Sequence, residues 1–127
     1  MPRPPAKDLT QRELELMQVF WRHGSLTAAQ ARDHLAATRR DLTYTTVATL
    51  VRILHDKGFL KQVNDERPFS YVPARQYKEV SGRLLGDVLQ RVFGGSREQL
   101  LMRLLEQRPL TERERSLLQA LLEEDAA

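Results

Sequence analysis

No cysteine occurs in the 127 residues, so neither a disulfide framework nor a thiolate metal site is available, and a reducing, cytoplasmic setting is expected. No apolar run approaches the roughly 18–20 residues that a membrane-crossing helix needs, which argues against membrane insertion. The proline-rich start from Met1 to Lys7 lacks the apolar stretch of a secretory signal and reads as a flexible arm over residues 1–8. His23, His34 and His55 have neither the i, i+4 spacing nor the acidic company of a metal site. Glu13 and Glu15 point to different faces of one helix, so they do not make a carboxylate pair for acid–base work. Gly94-Gly95 lacks the lysine and the strand–loop–helix setting of a phosphate loop. With no catalytic constellation, the chain is expected not to be an enzyme and to need no metal or cofactor.

What the chain does have is the make-up of a globular domain, 41% hydrophobic and 29% charged. The net charge is only +3, but all of that excess falls within residues 1–73, as a phosphate-binding front half would have it. Helix starts are well marked. Thr10 with Glu13 has the spacing of a capping box, and Leu9 with Leu14 that of a hydrophobic staple. Thr27 with Gln30, Ser96 with Gln99 and Thr111 with Glu114 repeat the box. Each is followed by apolar residues at helical spacing, so a mainly α fold is expected.

The first helix is predicted from about Gln11 to His23, with Leu14, Met17, Phe20 and Trp21 on one face and Gly24 as its stop. A short second helix follows Thr27 and buries Ala28, Ala31 and Leu35. A polar stretch, Thr38 to Asp41, leads into a third helix from about Tyr44 to Lys57, ended by Gly58. Phe59 to Val63, a turn through Asn64 to Pro68, and the alternating Phe69 to Val72 suit a small β-hairpin. Three helices followed by a hairpin is the order of a winged helix-turn-helix, expected here over residues 9–73.

On the third helix, Val47, Leu50, Val51 and Leu54 share one side and must pack inward. Thr45, Ala48, Thr49 and Arg52 share the other. A solubility face would be dense in Glu and Lys. This one is small and hydroxyl-bearing and ends in a guanidinium, which suits close approach to base edges in a major groove. Thr43 is the expected N-cap, leaving first-turn N–H groups for a phosphate oxygen.

Beyond Pro73 the apolar pattern is helical again, through Tyr77, Val80, Leu84 and Val88, with Gly94-Gly95 as a break. Two further helices carry Leu100, Leu101, Leu104 and Leu105, then Leu117, Leu118, Leu121 and Leu122. Three short helices cannot hide that much leucine by themselves, so residues 74–127 are expected to form a helical dimerisation region.

The segments LTQRELELMQVFW (Leu9–Trp21), DLTYTTVATLVRILHDKGFL (Asp41–Leu60) and FGGS (Phe93–Ser96) resemble the BlaI/MecI/CopY family of penicillinase-type repressors. The resemblance implies a homodimer that binds a double-stranded, inverted-repeat DNA operator and blocks transcription, with interlocked C-terminal helices. By motif position it implies DNA contact at Thr43, Tyr44, Thr45, Thr46, Thr49 and Arg52, and Arg67 at the wing tip. Copper-responsive members carry a C-terminal Cys-x-Cys pair, which this chain lacks. Induction in β-lactam-responsive members implies a membrane sensor metallopeptidase as partner and cleavage at an Asn-Phe bond, where Arg103-Leu104 stands here. Two other roles are open to such a fold. A winged-helix ligand sensor is disfavoured because no polar residues converge on an apolar pocket in the sequence pattern. A protein–protein interaction module is the second.

Overall fold

The computed structural model describes residues 9–38 and 40–126; the arm expected over residues 1–8, and Arg39, lie outside them. The first helix, α1 (Gln11–His23), begins at the expected box. Thr10 Oγ1 accepts from the Glu13 N–H at 3.1 Å, and Glu13 Oε1 accepts from the Thr10 N–H at 2.9 Å. It stops at Gly24, whose φ of 84° suits a residue without a Cβ. A two-residue strand, β1 (Leu26–Thr27), follows, then α2 (Ala28–Thr38), opened by reciprocal Thr27–Gln30 hydrogen bonds. Next come α3 (Tyr44–Asp56), β2 (Leu60–Gln62), β3 (Ser70–Pro73), α4 (Tyr77–Phe93), α5 (Arg97–Gln107) and α6 (Glu112–Ala126).

The hairpin is part of a three-stranded antiparallel sheet ordered β1-β3-β2. Leu26 lies opposite Tyr71, and Leu60 opposite Pro73. The added strand lies between α1 and α2 in sequence, so it ties the helices to the wing. Pro73 sits at the end of β3, where its missing N–H costs the ladder little.

The core forms where the apolar stripes meet. Leu16, Met17 and Phe20 of α1, Ala31 and Leu35 of α2, and Val47, Val51 and Leu54 of α3 are buried together with Phe59, Leu60 and Val80. Burial of each large side chain contributes about 1.5–3 kcal/mol before ordering costs. Leu14 is only half-buried, and Leu16 and Val19 take part of the place expected for it.

Val80, expected on the dimerisation stripe, is fully buried in this core and has no surface to offer a second copy. Leu84 packs against the same core, and Tyr77 meets the Trp21 ring edge-on at 5.3 Å. The link from β3 into α4 is held as well. The Trp21 indole N–H donates to the Arg75 carbonyl at 2.8 Å, and the buried Arg75 guanidinium lies 4.9 Å from the Phe59 ring centroid. One compact unit therefore runs into α4 and ends at Leu85, the second beginning at Gly86. A fragment cut at Pro73 would lose Val80 from its core.

The second unit holds the rest of α4, then α5 and α6. Ser96 caps α5 by accepting from the Gln99 N–H, and Thr111 with Glu114 forms a reciprocal box at α6. None of residues 86–125 is buried.

Candidate nucleic-acid interface

The third helix owes its position to its own sequence on one side and to α1 on the other. Its Thr43 cap accepts from the Thr46 N–H at 3.2 Å, and the Thr43 hydroxyl donates to Thr46 Oγ1 at 2.9 Å. Val47, Val51 and Leu54 are buried, and Leu50 packs partly against them. With that side fixed, Thr45, Thr49 and Arg52 are exposed and Ala48 is half-buried between them. The Thr49 hydroxyl donates to the Thr45 carbonyl at 3.0 Å, which fixes its rotamer and leaves its acceptor lone pairs and methyl facing outward. Tyr44 stands 54% exposed at the start of the helix, beside the exposed Thr43. No carboxylate belongs to this face before Asp56, whose Oδ1 lies 3.6 Å from Nδ1 of neighbouring His55.

Two ion pairs to α1 hold the region around this helix. Lys57, the C-cap residue, places its ammonium 2.9 Å from Glu13 Oε1. Arg40, in the connection before α3, places Nε 2.7 Å from Glu15 Oε1. Both carboxylates are buried. For Glu13 burial alone would raise the pKa. The hydrogen bonds from Lys57 and Thr10 outweigh it and hold the carboxyl below its ordinary value, so it stays ionised. Arg32 adds a third tie, its Nε donating to the Leu42 carbonyl at 3.0 Å just ahead of the cap. The exposed side of α3 is thus presented by a helix tied near both ends, and such preorganisation lowers the ordering cost of any binding there.

The sequence shows Glu13 as half of the capping box with Thr10, but neither its ion pair with Lys57 nor that of Glu15 with Arg40. A signal was present for Glu13, which shares the i, i+3, i+4, i+7 stripe with Leu16, Met17 and Phe20. An acid on an apolar stripe needs a cation, and Lys57 supplies it.

The wing is built around Asn64. Its side-chain amide donates to the carbonyls of Glu66 and Pro68 at 3.0 and 3.1 Å, and its oxygen accepts from the Ser70 N–H at 2.7 Å. This closed turn carries Arg67 exposed at its tip, the guanidinium 5.5 Å from the Phe69 ring centroid. Lys61 is exposed on β2. Every residue expected to contact DNA therefore has surface, on α3 and its cap or on the wing.

The residues expected to pair two copies divide differently. Tyr77, Val80 and Leu84 belong to the first unit, where Val80 is spent on the core. In the second unit, Val88 is exposed, Leu100 is half-buried, and Leu101, Leu104, Leu105, Leu117, Leu118, Leu121 and Leu122 are 41–66% exposed. Arg103 and Leu104 lie inside α5, where Arg103 Nη1 is held by both carboxylate oxygens of Glu106 at 2.6 and 2.9 Å. Among the described residues, no helix is long and apolar enough to cross a membrane.

The penicillinase repressor family model matches residues 9–124. The chain is 35% identical over 96 residues to the transcriptional regulator BlaI of Mycobacterium tuberculosis, covering 74% of this chain and 69% of that protein. It is 29% identical over 119 residues to the penicillinase repressor of Bacillus licheniformis, covering 91% and 90%. Among solved structures, the solution structure of the DNA binding domain of the repressor BlaI matches with a TM-score of 0.50 and 28% identity, over 57% of this chain and 87% of that one.

Proposed function

Since the chain belongs to the penicillinase repressor family, we propose that it is a cytoplasmic homodimeric repressor that occupies an inverted-repeat operator and blocks transcription. The observation that carries the reading is the exposed face of α3: Thr45, Ala48, Thr49 and Arg52 at the surface, with Val47, Val51 and Leu54 locked in the core behind them. Arg52 would reach guanine or phosphate, and the threonines would meet base edges or thymine methyls. Arg67 at the wing tip would hold flanking phosphate and so set register rather than sequence.

The second copy follows from the second unit. Most of its leucines are exposed and none of residues 86–125 is buried, a condition that short helices in water do not sustain alone. Pairing through α5 and α6 would cover them and carry two recognition helices about 34 Å apart, the spacing of successive major grooves. Relief would come through a membrane sensor metallopeptidase acting at Arg103-Leu104, which requires α5 to open locally before its backbone is reachable.

The test is a titration of the palindromic DNA upstream of the protein's own gene at increasing salt, for the parent protein and Arg52→Ala. Affinity is expected to fall steeply with salt. The variant is expected to bind about five-fold or more weakly, from the loss of about 1 kcal/mol or more at one contact. Equal titration curves for the two proteins, or affinity that ignores DNA sequence at moderate salt, would contradict the reading.

A further inference from the structure

A cleft of about 620 Å³ opens in the first unit, among α1, α2 and the start of α4, and the operator reading makes no use of it. Its volume lies in the range that accepts small organic ligands. Two aromatic pairs form part of its wall. The His23 and His34 rings stack at 3.7 Å with their planes 16° apart, and Trp21 meets Tyr77 edge-on. Loss of solvation, then the neighbouring His34 and Arg22, push the His23 pKa down, which favours its neutral ring.

Two groups on the wall have chemistry left over. The side-chain oxygen of Gln18 is buried and accepts no hydrogen bond from any described group. A buried acceptor left in that condition costs stability, and a ligand donor would recover it once the half-buried side chain turns its oxygen into the cleft. Arg22 has an exposed side chain and no carboxylate partner among the described residues. The remaining acid on the wall, Glu15, is already engaged by Arg40 and Gln11. The sequence pattern gave no sign of this convergence. Trp21, Arg22 and Gln18 leave one helix on adjoining faces, and His34 and Tyr77 reach them only through the fold.

We propose that this cleft binds a small aromatic carboxylate that also carries a hydrogen-bond donor. The ring would lie against Trp21, Tyr77 and the histidine pair, the acid against Arg22, and the donor against Gln18. The proposal does not depend on operator binding, because it is tested with no DNA present.

Trp21 is the chain's single tryptophan, so its indole N–H gives one resolvable nuclear magnetic resonance signal from inside the site. The probes are indole-3-carboxylate, which has the donor, and 1-naphthoate, which has the acid and both rings but no donor. Indole-3-carboxylate should shift the Trp21 signal saturably, and 1-naphthoate should bind about five-fold more weakly, the worth of one hydrogen bond. Gln18→Leu should abolish that preference without lowering the thermal midpoint, since it removes a buried unpaired acceptor at similar volume. Arg22→Gln, at an exposed position, should weaken both probes by a similar factor and serves if the first variant does not fold. Shifts that grow linearly without saturation would overturn the proposal. So would a preference for indole-3-carboxylate that survives Gln18→Leu, or probe affinities unmoved by Arg22→Gln.

Discussion

Thr49→Glu is expected to cut operator affinity by about a hundred-fold or more while shifting the thermal midpoint by no more than about 2 °C. The position is exposed at the centre of the α3 face, and its hydroxyl makes only a local bond to the Thr45 carbonyl. No core contact is cut, and glutamate is the better helix former, so the fold has no reason to weaken. At the interface the effects combine. The new carboxylate would face phosphates and base edges, and from three residues away it would draw the Arg52 guanidinium into an ion pair along the helix. Losing about one base contact and adding repulsion near the backbone gives about 3 kcal/mol, which is the hundred-fold. Mobility-shift or anisotropy titration beside a melting curve checks both halves. A fall in affinity accompanied by a fall in stability would show that Thr49 supports the fold instead.

Leu104→Lys combined with Leu121→Lys should give a monomer by sedimentation and an operator affinity lower by about a hundred-fold or more. Leu104 is 54% and Leu121 51% exposed in the single chain, so neither substitution opens a cavity there. Across an interface between copies, each would instead bury an ammonium without a partner, a cost that two apolar helices cannot meet. The affinity loss has a separate origin. A dimer makes its second half-site contact intramolecularly, and effective concentrations of that kind contribute about 10²–10⁴ in avidity. The first unit keeps its core, because Phe20, Phe59 and Val80 are untouched. If the doubly substituted protein still sediments as a dimer, pairing runs through another surface.

Much of this was legible because local rules and tertiary packing agree along α1 and α3. Thr10 and Glu13 form the box that their spacing implies, Gly24 closes the helix, and Val47, Val51 and Leu54 turn inward as the period requires. The exposed residues of α3, Thr45, Thr49 and Arg52, could be found by subtraction, since they occupy the side the core does not use. Three features were not legible, each for a stated physical reason. Leu26–Thr27 is too short to show a period, and its strand exists only because Ser70 and Tyr71 come alongside. The Glu13–Lys57 and Glu15–Arg40 pairs join residues far apart in sequence, where helix spacing is silent. Val80 has the same apolar periodicity whether it faces its own core or a second copy; only the packing of α4 on Phe59 and its neighbours decides between them.

If the outward side of α3 reads DNA, that side gains protection when the operator is bound. Amide hydrogen exchange on the full-length protein, with and without the upstream palindrome, tests it most directly. Added protection confined to residues 43–52 and the wing turn at 64–69 is the predicted result; binding that leaves those two segments unprotected and slows exchange elsewhere would contradict it.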